Sequence, residues 1–132
     1  MMKKVTGIGG IFFKCKDVQA TKNWYQKHLG IDHDTYGHTF WNRDVERPEN
    51  KTSQQWSPFK KDTDYFEPSQ QEFMINYRVK NLSKLLIDLK EQGVTIVGEP
   101  QEFEYGKFAW ILDADDRKVE LWEPKNESLF EK

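Results

Sequence analysis

A single carboxylate interrupts the apolar run Lys118-Val119-Glu120-Leu121-Trp122, near the end of the chain. With the two-residue alternation of a strand, Val119 and Leu121 face one side and Glu120 and Trp122 the other. A lone acid therefore stands beside an indole on a face that should be partly buried. Desolvation there favours the protonated form, whereas an adjacent Lys14 or Arg78 would favour the carboxylate. Glu120 is accordingly suited to serve as a general acid or base, or to anchor a polar or amine-bearing ligand against aromatic faces. Its plain structural role would be an ion pair with Arg78 or Lys14.

Other chemistry-bearing residues offer less. His28 falls at the end of a helix, where contact with the helix dipole is its ordinary role. His33 and His38 flank Tyr36-Gly37, and two nearby histidines can bind zinc, but only Asp32 and Asp34 stand at hand to complete a set. Cys15 is the only cysteine, sits in the apolar run Ile11-Phe12-Phe13-Lys14-Cys15, and has no disulfide partner, so a cytoplasmic location is expected. A formal charge of −2 over 132 residues excludes a broad basic surface, so no nucleic acid and no membrane partner is expected. The stretch Met1 to Gly7 lacks a signal-peptide pattern, and no apolar run reaches membrane-spanning length. Five tryptophans and nine phenylalanines point to an aromatic core or an aromatic-lined cavity.

These residues need a scaffold of strands and two helices. Gly10 to Lys16 reads as a strand, Asp17 as the N-cap of a helix carrying Ala20, Trp24 and His28 on one stripe, and Gly30 as its end. A hairpin is predicted over Ile31 to Arg43, a polar loop over Val45 to Lys51, and a strand over Thr52 to Trp56 closed by Ser57-Pro58. The linker from Phe59 to Gln71 carries Phe59, Tyr65 and Phe66, which a solvated linker would not need, so it should pack across something. Phe73 to Lys80 resumes strand alternation. Asn81 caps a second helix with a Leu82, Leu85, Leu86, Leu89 stripe and Gly93 stops it. From Val94 a short strand, a loop with Gly98 and Pro100, and then the hairpin Lys107 to Asp113 and Lys118 to Glu123, joined by Ala114-Asp115-Asp116-Arg117, complete the chain.

The halves repeat. Gly10 to Val18 runs parallel to Met74 to Leu82, Leu29-Gly30-Ile31 to Gln92-Gly93-Val94, and Gln54-Gln55-Trp56-Ser57-Pro58 to Glu120-Leu121-Trp122-Glu123-Pro124, at a spacing near sixty-four residues. The expected architecture is one α+β domain over residues 1–132, made of tandem βαβββ units at about 5–58 and 72–124 with a linker at about 59–71. Such a repeat, opening with strand-Asp-helix-Leu-Gly and closing with Lys-Val-Glu-Leu-Trp-Glu-Pro, resembles the vicinal oxygen chelate superfamily, which includes glyoxalase I, extradiol dioxygenases and the fosfomycin- and bleomycin-resistance proteins. The resemblance runs from about Val5 to Pro124. It implies the glyoxalase/bleomycin-resistance fold, a half-open mixed β-barrel cavity with helices outside, and often a homodimer.

The resemblance also implies four metal-ligand places, which transfer to Gly10, Gln54, Met74 and Glu120. Only Glu120 is a good ligand, since Gly10 has no side chain, Met74 is a soft thioether and Gln54 a neutral amide. No metal site and no cofactor are expected, and a divalent metal is disfavoured. Alternation puts Ile11, Phe13, Ile75, Val79, Val119 and Leu121 in the core. It aims Phe12, Lys14, Gln54, Trp56, Met74, Asn76, Arg78, Phe108, Trp110, Glu120 and Trp122 at the cavity, with Tyr65 or Tyr105 at its mouth. The function expected is a metal-free protein binding a small aromatic or amphipathic molecule in that cavity, with Glu120 as polar anchor and as the one catalytic candidate. The alternatives are a glyoxalase- or dioxygenase-like enzyme (lyase, isomerase or oxidoreductase) using Glu120 as metal ligand or base, and a non-catalytic interaction scaffold. Tryptophans filling a collapsed barrel would be the structural outcome.

Overall fold

The computed structural model describes residues 4–125. The elements run β1 (Val5–Cys15), α1 (Val18–Leu29), β2 (His38–Arg43), β3 (Lys51–Lys60), β4 (Phe73–Val79), α2 (Leu82–Glu91), β5 (Gln101–Phe103), β6 (Gly106–Leu112) and β7 (Lys118–Pro124). The strands form one mixed sheet of seven in the order β2-β3-β1-β4-β7-β6-β5. This is the α+β glyoxalase/bleomycin-resistance arrangement, with β1 and β4 antiparallel at the centre and β3 and β7 parallel to them on either side.

Both helices start and stop where side-chain chemistry dictates. The Asp17 carboxylate accepts from Ala20 N at 3.0 Å, Asn81 Oδ1 accepts from Lys84 N at 3.2 Å, and Gly30 and Gly93 take positive φ values of 70° and 83° beyond the helix ends. The helices cover one face of the sheet. There α2 packs Leu82 and Leu85 on Val79, Ala109 and Leu121, with Leu86, Leu89, Ile111 and Val119 around them. The other helix is thinner in apolar contact. Its one buried residue is Lys22, whose ammonium donates to the carbonyls of Asp34 and Thr35 at 3.0 and 3.1 Å. The expected stripe is on the outside: Trp24 is exposed and meets His28 with ring centroids 4.8 Å apart and planes tilted by 44°. Of the expected core, Val79 and Leu121 are buried, whereas Ile11 is 42% exposed on the middle of the sheet, between the helices.

Four segments depart from the predicted elements. β1 begins at Val5 and not at Gly10, and the short strand of the second half, β5, follows Pro100, with only an isolated bridge at Ile96 before Gly98. Residues 31–37 form a loop rather than a strand, fixed by the Asp34 carboxylate accepting from Tyr36 N and Gly37 N at 2.8 and 3.0 Å. This is the Asx-turn chemistry that makes aspartate a poor strand former. The third strand, conversely, does not stop at Ser57-Pro58 but continues to Lys60. Pairing with β2 has ended at Trp56 opposite His38, so beyond it β3 is an edge with one neighbour, the setting in which a strand tolerates Pro58, opposite Phe13.

The central pairing is symmetric between the halves. Phe12 stands opposite Met74 and Gly10 opposite Asn76, so exchanging the halves turns Phe12 into Asn76 and Gly10 into Met74, the offset seen in the sequence. Ser57 lies beside Phe12 on β3 as Glu120 lies beside Asn76 on β7. The counterpart of Glu120 is therefore Ser57, three residues along from Gln54.

Candidate ligand site around Glu120

Side chains in register on neighbouring strands share a face, so the pairing itself builds the site. Gln55, Gly10, Asn76, Glu120 and Trp110 form one row across β3, β1, β4, β7 and β6, on the inner face opposite the helices. Glu120 is 2% exposed and accepts from both strand neighbours: Asn76 Nδ2 donates to Oε1 at 2.6 Å and Trp110 Nε1 to Oε2 at 2.8 Å. The third donor comes from outside the sheet. The segment 61–72, between β3 and β4, lays Tyr65 over the inner face so that its hydroxyl donates to Glu120 Oε2.

The expected ion pair is replaced by something less direct. Lys14 stands over the Phe66 ring at 5.5 Å, and Arg78 over the Trp122 ring at 5.2 Å while donating to the Ser53 carbonyl. Lys118, two residues before Glu120, is the cation that balances the acid. Its Nζ lies 5.2 and 5.7 Å above the Tyr65 and Trp110 rings, the two rings that donate to Glu120, and donates to the Tyr65 carbonyl at 2.6 Å. Burial lowers the Lys118 pKa against the opposing pull of Glu120, Asp64 and Glu67. Tyr65 is pushed far above the ordinary phenol range, first by burial and then by the Glu120 charge and hydrogen bond, so it stays a hydroxyl donor.

Around this polar knot is an apolar wall. Phe12, Phe66, Met74 and Trp110 are buried together, with Phe59, Tyr65, Val97 and Phe108 packed against them, and Phe66 is wholly buried at 0% exposure. Tyr65 stacks on Phe59 with planes 7° apart and centroids at 5.5 Å, and meets Trp110 edge-on at 6.3 Å. A second aromatic group continues along the face, where Arg78, Trp122 and Phe108 stack in turn and exposed Tyr105 meets Phe108 at 5.6 Å. Trp122 Nε1 donates to the Tyr105 carbonyl at 2.8 Å. Gly9 makes room for both groups: a Cβ there would overlap Asn76 Oδ1 and come within 2.8 Å of Trp122 Cε3. Asn76 Oδ1 is buried and takes no hydrogen bond.

The structure thus gathers Phe12, Met74, Asn76, Trp110 and Glu120 in one place and Arg78, Tyr105, Phe108 and Trp122 in an adjoining one. Gln54 and Trp56 must be corrected. Trp56 faces the helices, packing on Phe13 and Tyr25 at 5.4 and 4.9 Å, and Gln54 bonds Asn42 on the same outer side. The matching Trp-x-Pro endings of the halves aligned them, but Pro58 lies inside β3 and Pro124 at the end of β7, so the β3 alternation slipped by one. Gln55 and Ser57 face inward instead. Tyr65 lies deeper than a cavity mouth, while Phe59, Phe66 and Lys118 were absent from the expected set. The unexplained aromatics of the linker were the available signal for the first two, and two-residue spacing from Glu120 for the third.

The donors do not suit a metal. Met74 is buried in the apolar cluster, Gly10 offers nothing and Ser57 Oγ donates to the Tyr36 carbonyl at 2.6 Å, which leaves Glu120 as a lone ligand at the four places. Among the described residues no group of three or more His, Cys, Asp or Glu side chains is close enough together to hold a metal ion. Likewise no described helix is long and apolar enough to cross a membrane.

No protein-family model matches the chain, and no curated protein matches it. Solved structures do. Methylmalonyl-CoA epimerase from Mycobacterium tuberculosis superposes with a TM-score of 0.64 at 19% identity, covering 98% of this chain and 95% of that one. A variant of the Streptomyces coelicolor methylmalonyl-CoA epimerase, in complex with 2-nitronate-propionyl-CoA, reaches 0.67 at 14% identity over 91% and 98% of the two chains. A Legionella pneumophila structure described as an NAD-dependent benzaldehyde dehydrogenase gives 0.56 at 11% identity over 88% and 98%. The epimerases are vicinal oxygen chelate proteins, so the likeness establishes the fold that the repeat implied.

Proposed function

We propose that the chain binds a small aromatic or amphipathic molecule on the inner face, with Glu120 as polar anchor, Phe12, Met74, Phe108, Trp110 and Trp122 as walls, and Arg78 and Tyr105 at the outer end. One observation carries this reading: a carboxylate is buried at 2% exposure in an aromatic cluster, and one of its three donors, Tyr65, is delivered by a loop and not by the sheet. Satisfying this acid takes three donors, and a core that needed only to be filled would do as well with an apolar side chain of the same size, so the buried carboxylate points to a use beyond packing. Anchoring in this way uses no metal. Cytoplasmic residence, expected from the sequence, and homodimer formation, implied only by the family resemblance, belong to the same proposal and are read out by fractionation and sedimentation. The experiment is a screen of small aromatic compounds by tryptophan fluorescence, which Trp110 should report. Saturable binding weakened about tenfold in Glu120→Gln is expected; binding indifferent to residue 120 would overturn the reading.

A proton-transfer enzyme is the second reading, favoured by the direct contact of a phenol donor with a carboxylate, an acid beside a base. Deuterium uptake at C2 of methylmalonyl-CoA in heavy water, present in the wild type and absent in Glu120→Gln, would support it. No uptake above the uncatalysed rate would remove it.

A further inference from the structure

Resting on the binding reading above, we infer that the Glu120 site is built for the hydroxyl of a neutral phenol, and that Tyr65 is the chain's own occupant of the place such a ligand takes. The surroundings of Tyr65 are those of a bound hydroxyaromatic molecule. Its ring lies flat against Phe59, has the edge of Trp110 beside it and the Lys118 ammonium 5.2 Å above its face, and its oxygen is on Glu120. Each contact selects against another ligand class. A carboxylate or phenolate brought to Glu120 would set two anions together in an apolar cluster. An ammonium would stand close to Lys118. An aliphatic alcohol would satisfy Glu120 but give Phe59 and Trp110 no ring to stack on. A neutral phenol meets all of them, and its O–H donates to a carboxylate more strongly than an ordinary hydroxyl.

The attachment of Tyr65 suits exchange. Its main chain is held independently of its ring, by Lys118 Nζ on its own carbonyl at 2.6 Å and by the wholly buried Phe66 next to it. The Tyr65 side chain can therefore swing out while the 61–72 segment stays seated. A ligand phenol then takes over the Glu120 bond at little net change in hydrogen bonding, with the ring contacts deciding the affinity.

The test uses Tyr65→Ala, which opens a hole where the phenol side chain lay, with three probes that share a methylphenyl ring and differ at the para position: p-cresol (hydroxyl), toluene (hydrogen) and 4-methylbenzylamine (aminomethyl). Thermal melting and calorimetric titration at neutral pH should show p-cresol binding saturably, about tenfold tighter than toluene, with the amine weakest. In Tyr65→Phe, which keeps the ring and is expected to fold, p-cresol should bind more tightly than in the wild type, because the competing hydroxyl is gone. Should Tyr65→Ala not fold alone, refolding by p-cresol and not by toluene gives the same result. Equal binding of p-cresol and toluene would mean an apolar hole only and overturns the phenol assignment. Preference for the amine overturns it too, while leaving a Glu120-anchored ligand standing. The binding reading itself fails separately, if no compound binds the wild type in a way that depends on Glu120.

Discussion

Ser57 and Glu120 occupy the same place in the two halves, each beside the central strand of its own half, and each is covered by a loop of the chain. Over Ser57 the cover is main chain: its hydroxyl donates to the Tyr36 carbonyl at 2.6 Å, on the turn that Asp34 locks. Over Glu120 the cover is a side chain, the Tyr65 phenol. A main-chain contact is released only by rebuilding the loop, whereas a side-chain contact is released by rotating one side chain. One half of the repeat has made this position part of the framework, and the other has kept it exchangeable.

That contrast can be broken from either side. The largest effect is expected at Gly37, where φ is 127° and a Cβ would overlap the Trp56 carbonyl and lie 3.0 Å from Ser57 Oγ. Gly37→Ala should cost about 3 kcal/mol or more in denaturant unfolding while leaving ligand affinity of the folded protein unchanged. Next comes Glu120→Ala, which strands the buried donors of Asn76 and Trp110 and frees Tyr65; about 2–3 kcal/mol and loss of binding are expected from the same assays.

Tyr65→Phe should cost about 1–2 kcal/mol at neutral pH and also change the pH response. Because the fold raises the Tyr65 pKa, its contribution is intact below the ordinary phenol value near 10 and is lost as pH climbs above it. Lys118 runs the other way, its lowered pKa adding stability as pH rises toward the ordinary lysine range, but it is present in both proteins. Wild-type melting temperature should thus fall more steeply than that of Tyr65→Phe above about pH 10. The smallest effect belongs to Gln54→Ala, within about 0.5 kcal/mol and without change in binding, since this side chain lies on the outer face.

Capping residues and strand alternation carried most of the fold into the sequence. Asp17, Gly30, Asn81 and Gly93 set the helix ends through chemistry local to each position, and alternation within β4, β6 and β7 brought Asn76, Trp110 and Glu120 to one face. What failed was non-local. Whether Pro58 ends β3 depends on where β2 stops pairing, which lies on another segment, and the error moved Gln54 and Trp56 across the sheet. Helix α1 misled for a related reason: Trp24 and His28 make an apolar-looking stripe, but the inward side is the one whose lysine can reach the Asp34 and Thr35 carbonyls. Tyr65 and Phe66 were conspicuous as aromatics in a polar linker, yet only the folded chain shows which acid the phenol meets.

The central claim is that Tyr65 and Glu120 are energetically coupled as an occupant and its anchor. A double-mutant cycle on the folding stability of Tyr65→Phe, Glu120→Gln and the combined variant measures this directly. The structure leads to a coupling of about 1–2 kcal/mol, with the second substitution costing much less in the presence of the first. Effects that simply add, to within about 0.3 kcal/mol, would contradict it.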